Sequence, residues 1–369
     1  MAASRSSKYE LLRIVAMVLI LIHHFCMYAG NDDLPLANAI ANDVLMCGGK
    51  IGVNVFVIIT GYFMVTSRFK VQSFLRVLCE AWFYSFVLGL LCALGAPETF
   101  DIKTFLKSFL PTSNGLPWFV TAYLGLYLMI PWLARFAREA PKEVLRRLLV
   151  VGFVVFALIP TLTGSMFVTG NLTWFVYLFL LSGYIRLYGF NGLKKWDPVI
   201  MLGGGCVFLV VSVVAAELIG QRVSFVGENA TFFLDMYSVP TLCASVGLFG
   251  VFERSNIPQM KLVNVTAQTV FGVYLIHENP FMRGLIWSHF EFVFTFTAFI
   301  QIVFVLLIAI CLNALCTVLD LARLNFLERP LFRSMEKAFG SMFLKMNRWF
   351  SFMSVDNAPI GSSVDRKVP

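Results

Sequence analysis

Apolar runs long enough to cross a membrane make up most of this chain, and only short polar segments separate them. The hydrocarbon core of a bilayer is about 30 Å thick, which an α-helix spans in about 20 residues. Backbone groups in lipid must be hydrogen-bonded within their own segment, so these runs predict helices. Ten windows qualify, at about 9–29, 49–66, 73–95, 116–136, 147–164, 172–189, 198–219, 231–252, 267–288 and 294–319.

Composition supports an all-α, polytopic integral membrane bundle. Hydrophobic residues form 59% of the chain and charged residues 14%, against about 45–50% and about 25% in soluble domains. The net charge of +8 is explained by cytoplasmic loops and anionic lipid headgroups, so membrane lipids are predicted partners and nucleic acid is not. The eight cysteines form no C-x-x-C pair, and we predict neither a metal site nor a disulfide framework.

The distribution of basic residues predicts the orientation. With the N-terminus inside, 24 of the 29 Lys and Arg residues fall on the inner side, and the five on the outer side are Lys50, Lys103, Lys107, Arg222 and Arg283. Cytoplasmic loops carry such an excess. Both termini are therefore predicted to be cytoplasmic, in a multi-pass protein of the plasma membrane.

Three regions are predicted along the chain. Residues 1–324 form the transmembrane domain, and residues 325–355 alternate basic and aromatic side chains as an interfacial amphipathic helix does. Residues 356–369 lose the hydrophobic pattern and are predicted to be disordered. No loop is long enough to hold a soluble catalytic domain.

The first span carries Arg13 at its foot and His23 and His24 near its far end. Ionisable groups in a spanning helix are costly and indicate function by default. Eleven positions separate Arg13 from His24, which is about three turns, so both lie on one face roughly 16 Å apart. His23 is predicted to point elsewhere. The alternative is that Arg13 snorkels to the cytoplasmic surface and His24 only caps the helix end.

Two further segments carry polar groups. In the second span, Gly61 allows a close helix approach and Tyr62 brings a phenol into the bundle. Arg68 and Arg76 follow at the inner boundary, where they could bind phosphate or simply reflect the inward orientation. In the ninth span, His277 and Glu278 precede Pro280, so a helix break beside a histidine is expected. A purely structural histidine is the alternative.

These segments together resemble the membrane acyltransferase 3 family over roughly residues 8–325. The family's first-span pattern of Arg or Lys, ten residues and then His is matched by Arg13 and His24. The other matching segments are Val55–Phe63, with Thr60 in place of Ser; Pro117, Trp118, Phe119, Tyr127, Leu128 and Pro131; and Tyr274, Leu275 and His277, with the proline one place late at Pro280. Many relatives have an R-x-x-R pair before the third span, whereas Arg76 is the only basic residue between Val71 and Ala96.

The resemblance implies an O-acyltransferase with no permanently bound cofactor. Acetyl-CoA or another acyl-CoA would be the co-substrate from the cytoplasm, and a sugar hydroxyl of a surface glycan or lipid-linked saccharide would be the acceptor. His24 would act as a general base or as a transient acyl carrier, and Arg13 would hold the donor. Further substrate- or donor-binding candidates are Tyr62, Arg68, Arg76, Trp118, His277 and Glu278.

A transporter or flippase is the alternative function. Arg13, His24, His277 and Glu278 would then line the pathway of a glycolipid, a small polar solute or a proton. Paired, interrupted helices in corresponding halves of the chain would favour that alternative, and the sequence shows none.

Overall fold

A computed structural model describes residues 6–30, 34–110, 117–164, 170–190, 194 and 196–351. Every regular element in this part of the chain is helical and it contains no strand, which confirms the predicted all-α fold. The α-helices in chain order are α1 (Ser7–Ala29), α2 (Leu36–Met64), α3 (Val71–Gly95), α4 (Ile102–Lys107), α5 (Trp118–Glu139), α6 (Lys142–Phe153), α7 (Ile159–Thr163), α8 (Asn171–Tyr188), α9 (Asp197–Gly220), α10 (Ser224–Gly227), α11 (Val239–Arg254), α12 (Lys261–Thr266), α13 (Val270–His277), α14 (Pro280–Trp287), α15 (Ala298–Arg323) and α16 (Arg329–Ser351).

Eight helical stretches of the described residues are long and apolar enough to cross a membrane, so the chain is an integral membrane protein. They are Ser7–Ala29, Leu36–Met64, Val71–Gly95, Trp118–Glu139, Lys142–Thr163, Asp197–Gly220, Ser224–Arg254 and Ala298–Phe350. Each overlaps one of the ten predicted windows. The remaining windows correspond to α8, which packs between α2 and α5, and to the interrupted series α12, α13 and α14.

The first helix occupies the centre of the bundle. It packs against α2, and α11 to α15 contact its remaining faces. The close contact of α2 with α8 depends on Gly61, as predicted, because a Cβ there would lie 2.1 Å from Ser182 Oγ and 2.8 Å from Phe179 Cα. The bundle therefore surrounds the one helix that carries both Arg13 and His24.

The second helix begins earlier than the sequence predicts. Asn38 and Asp43 interrupt the apolar pattern and indicated a loop over residues 31–48, but α2 already starts at Leu36. The Asn38 side chain is buried and donates to Gln301 Oε1 at 2.6 Å and to the Phe296 carbonyl at 2.8 Å. A buried amide with partners costs little, so this polar stretch remains helical. As a consequence Lys50 lies in the middle of α2 and not in an outer loop.

The C-terminal helix α16 continues from α15 through a π-helical turn at Leu324–Glu328. It docks on the start of α3: Phe350 lies 4.4 Å from Phe69 between ring centroids, and Asn347 Oδ1 accepts from the Val71 amide at 2.8 Å. Placement of residues 325–355 at the membrane surface stays a prediction. Residues 356–369, predicted to be disordered, lie outside the described residues.

The orientation is tested by accessibility of single cysteines in a variant without native cysteines. We expect an impermeant maleimide to label intact cells at positions 33 and 228 but not at 4, 139 or 363. The last three positions lie in segments that their basic residues keep on the cytoplasmic side. Positions 4, 33 and 363 lie outside the described residues, whereas Glu228 is exposed. Permeabilised cells, in which all five sites should react, are the control. Labelling at 139 would mean a miscounted span, and labelling at 4 would invert the protein.

Candidate active site

The imidazoles of His24 and His277 are hydrogen-bonded to each other inside the bundle. His24 Nδ1 lies 2.9 Å from His277 Nε2, and His277 Nδ1 lies 2.6 Å from the Val273 carbonyl oxygen. A carbonyl oxygen only accepts hydrogen bonds, so His277 Nδ1 carries a proton. In the neutral ring, His277 Nε2 therefore has none and accepts a hydrogen bond from His24 Nδ1–H. Nε2 of His24 is then left without a proton and able to accept one.

The Glu278 carboxylate completes the cluster. Its Oε2 atom lies 3.4 Å from His24 Nδ1 and has no hydrogen-bond partner among the described residues. Its Oε1 atom accepts from the Tyr28 hydroxyl at 2.9 Å, and the Arg283 guanidinium lies 3.4 Å away. These contacts hold a negative charge beside the His24 ring, where it would stabilise an imidazolium.

A helix break places these groups, as the sequence predicted. Helix α13 ends at His277 and α14 begins at Pro280, which lacks the amide that an unbroken helix requires. Between them, the Asn279 side chain accepts from the Phe281 amide at 3.0 Å and caps α14. In a continuous helix, the adjacent His277 and Glu278 side chains would point about 100° apart. The break lets both of them face α1.

A cavity of about 280 Å³ extends along α1 from Arg13 to His24. The predicted stripe on the first span therefore faces a cavity, although Arg13 is also paired with Glu10 at 2.9 Å. Among the predicted candidates, Trp118 lines it as well. The other lining residues are Met17, Ile20, His23, Gly49, Lys50, Val53, Phe56, Thr60, Val77, Glu80, Phe119, Tyr123, Ala267, Gln268, Val270, Phe271 and Tyr274.

Lys50 is a site residue that the sequence analysis missed. Its ammonium lies 5.3 Å from the centroid of the Trp118 ring, a cation–π distance. No carboxylate oxygen of the described residues lies within 4 Å of it, so no direct ion pair neutralises it. The sequence does carry a signal for it, a lone lysine inside the apolar window 49–66.

His23 does not point away from the site, contrary to the prediction. Its Nδ1 atom lies 3.0 Å from the Met46 carbonyl oxygen, and its ring centroid is 5.7 Å from that of His24. Gly49 makes room for the ring, since a Cβ there would lie 2.3 Å from His23 Cβ. The cavity is lined by residues of both α1 and α2, and both histidines are among them.

Comparison with known families identifies the chain. The model described as an acyltransferase domain, that of the acyltransferase 3 family, matches residues 7–318. The chain belongs to the acyltransferase 3 family. It is therefore a membrane acyltransferase, and the matched residues include the whole lining of the cavity between Arg13 and His24. Comparisons with curated proteins and with solved structures give no match.

Three predicted binding residues of this acyltransferase lie away from the cavity. Tyr62 packs against Tyr9, with ring centroids 5.6 Å apart, and accepts from Arg186 at 3.3 Å. Arg68 is exposed in the turn between α2 and α3. Neither side chain is brought near His24.

Arg76 is the third, and its surroundings do not favour CoA phosphates. Its guanidinium lies over the Phe332 ring at 5.0 Å, beside a cavity of about 50 Å³. The neighbouring Arg323 guanidinium is already surrounded by three carboxylates within 2.9 Å, those of Glu80, Asp320 and Glu328. These ion pairs occupy the Arg323 guanidinium, so it is not free to join Arg76 in binding a phosphate.

The histidine cluster also has the size of a divalent-cation site. His24 Nδ1, His277 Nε2 and a Glu278 oxygen all lie within 4.8 Å of one another. Binding a metal would require the His24–His277 hydrogen bond to break, because the same two nitrogens form it. The His24–His277 hydrogen bond and a bound cation would therefore compete for the same nitrogens.

Proposed function

We propose that this acyltransferase moves an acetyl or other short acyl group from cytoplasmic acyl-CoA to a sugar hydroxyl of a surface glycan or lipid-linked saccharide in the plasma membrane. The observation that carries the proposal is the cavity that begins at a cation, Arg13, and ends at a hydrogen-bonded histidine, His24. The cation suits the donor, whose thioester arm would enter the cavity, and the histidine suits the acceptor hydroxyl, which must lose a proton.

His24 acts as the general base. The acceptor hydroxyl gives its proton to His24 Nε2 while its oxygen attacks the thioester carbonyl carbon. The carbon–sulfur bond then breaks, and the imidazolium returns the proton to the departing thiolate of CoA. Glu278 stabilises the imidazolium, and Tyr28 and Arg283 keep the carboxylate in position.

Lys50 stabilises the negative charge that develops on the carbonyl oxygen during this attack. It lines the same cavity as His24, and its side chain is partly buried. A preorganised charge in such surroundings stabilises a transition state better than water does. Trp118 keeps the ammonium at the cavity wall.

Arg13 binds the donor at the cavity entrance. The volume of 280 Å³ is smaller than the about 300–1,000 Å³ of sites that enclose a drug-sized ligand. We therefore infer that only the acyl group and its pantetheine arm enter, while the nucleotide stays at the Arg13 end. The Arg13 side chain is 31% exposed, and its guanidinium offers donors to phosphate or carbonyl oxygens there.

We expect Arg13→Gln to raise the apparent KM for acetyl-CoA about tenfold, because one charged hydrogen-bond partner is lost. Arg13→Lys should retain part of the affinity. Since Arg13→Gln alone leaves Glu10 buried and unpaired, the double variant Glu10→Gln/Arg13→Gln is the structural control and should show the same defect. Steady-state titration of acetyl-CoA measures the effect. An unchanged KM in both variants would contradict the donor-binding role.

Purified protein incubated with labelled acetyl-CoA and a membrane-glycan extract tests the proposed function directly. Label should appear in the glycan, and mass spectrometry should find the acyl group on surface glycans only in cells that produce this chain. A transporter would give counterflow of solute in vesicles with no labelled glycan, and that result would refute acyl transfer.

A further inference from the structure

A second cavity, of about 420 Å³, adjoins the first. Among the described residues that line the two, only His23 and Lys50 are common to both. Its other lining residues are Met27, Met46, Pro160, Thr161, Gly164, Thr231, Phe232, Leu234, Asp235, Tyr237 and Ser238. It therefore starts where the donor cavity ends and extends away from Arg13, beyond the far end of α1.

The lining of this second cavity suits a hydroxyl-rich molecule. Phe232 and Tyr237 supply aromatic surface for the apolar face of a ring, and hydroxyl and carboxyl groups supply polar contacts. Several hydroxyls already donate within the protein: Thr161 to the Ala157 carbonyl at 2.7 Å, Ser238 to Thr241 at 2.9 Å and Tyr237 to Asn171 at 3.2 Å. The groups still able to take a ligand lie elsewhere in the wall.

Asp235 is the principal acceptor that remains. Its Oδ1 atom takes the Met236 amide at 2.7 Å, whereas Oδ2 forms no hydrogen bond with the described residues. A carboxylate oxygen has two lone pairs and can accept from neighbouring hydroxyls. Lys50 supplies a positive charge that attracts Asp235 electrostatically. The cavity thus contains one charge of each sign, which favours a neutral ligand.

We propose that the second cavity binds the acceptor as a neutral, hydroxyl-rich sugar unit, with the Asp235 carboxylate accepting hydrogen bonds from its hydroxyls. The reacting hydroxyl then reaches across the boundary formed by His23 and Lys50 towards His24. This inference rests on the proposed acyl transfer and adds the place and the chemistry of the acceptor site. The volume lies within the range of about 300–1,000 Å³ of small-molecule sites.

Acceptor titration tests the proposal in purified full-length protein with saturating labelled acetyl-CoA and increasing membrane-glycan extract. We expect Asp235→Asn to raise the acceptor concentration for half-maximal transfer about tenfold or more, because a charged hydrogen-bond partner becomes neutral. The KM for acetyl-CoA should not change. Asparagine keeps the oxygen that accepts from Met236, so the fold is preserved. Glu228→Gln, at an exposed carboxylate of the segment before α11, is the matched control and should behave as the wild type.

Two additional measurements separate the outcomes. Thr231→Trp should obstruct the cavity from its partly exposed side and reduce transfer while leaving acetyl-CoA binding intact. Methyl β-glucoside should compete with the extract, whereas glucuronate at the same concentration should not. The inference is overturned if Asp235→Asn titrates like the wild type, if its defect appears in the KM for acetyl-CoA, or if only the anion competes. Absence of labelled glycan with the wild-type protein would instead refute the proposed function itself.

Discussion

Replacement of His24 by alanine is expected to lower the rate of acyl transfer by about 10²–10⁴-fold, the usual contribution of a positioned general base. Nε2 of His24 is the ring nitrogen left able to accept a proton, because His277 and the Val273 carbonyl fix the tautomers. Steady-state transfer from labelled acetyl-CoA measures the effect.

Two further variants separate loss of the base from loss of structure. His24→Gln keeps a polar side chain beside His277 but cannot take up a proton, so it should be as inactive as His24→Ala. His289→Ala is the matched control, because this histidine is exposed and lines neither of the two larger cavities. Turnover retained in His24→Gln would show that His24 is not the base.

Lys50→Met should reduce kcat by about 10²–10³-fold, the effect of removing a donor to a developing oxyanion. Methionine preserves much of the stem that packs at the cavity wall and removes only the charge. The loss should appear in kcat with the KM for acetyl-CoA little changed, since the interaction forms in the transition state. Comparison of both parameters in the wild type and the variant provides the measurement.

A conservative variant and a matched control complete this test. Lys50→Arg should recover part of the rate because it keeps a cation in the same place, although its fork differs in shape. Lys107→Met, which neutralises an exposed lysine at the end of α4, should leave kcat unchanged. If Lys50→Met had both the thermal stability and the kcat of the wild type, the proposed role of Lys50 would be excluded.

Local periodicity predicted the features that lie within one helix. Arg13 and His24 belong to the same span, so the 3.6-residue repeat alone placed them on one face, and the cavity confirms that placement. The break before Pro280 was also predictable, since proline removes a helical hydrogen bond wherever the chain later packs.

Contacts between distant segments could not be predicted in the same way. His277 is 253 positions from His24, and their approach depends on how α13 packs on α1. Lys50 was placed outside because polar residues before it masked the early start of α2, and one of them, Asn38, is hydrogen-bonded to Gln301, which is 263 positions away. Asp235 belongs to no motif, and it gains significance only because a cavity forms around it.

The shared boundary of the two cavities has a consequence for the energetics of the cell. If these cavities open towards opposite sides of the membrane, they form a nearly continuous path through it. Water that entered this path would leak protons and dissipate the membrane potential unless something opposed cation movement. The fixed positive charge of Lys50 at the boundary raises an electrostatic barrier to hydronium and metal ions, whereas an acyl group, which is neutral, passes without moving charge across the field.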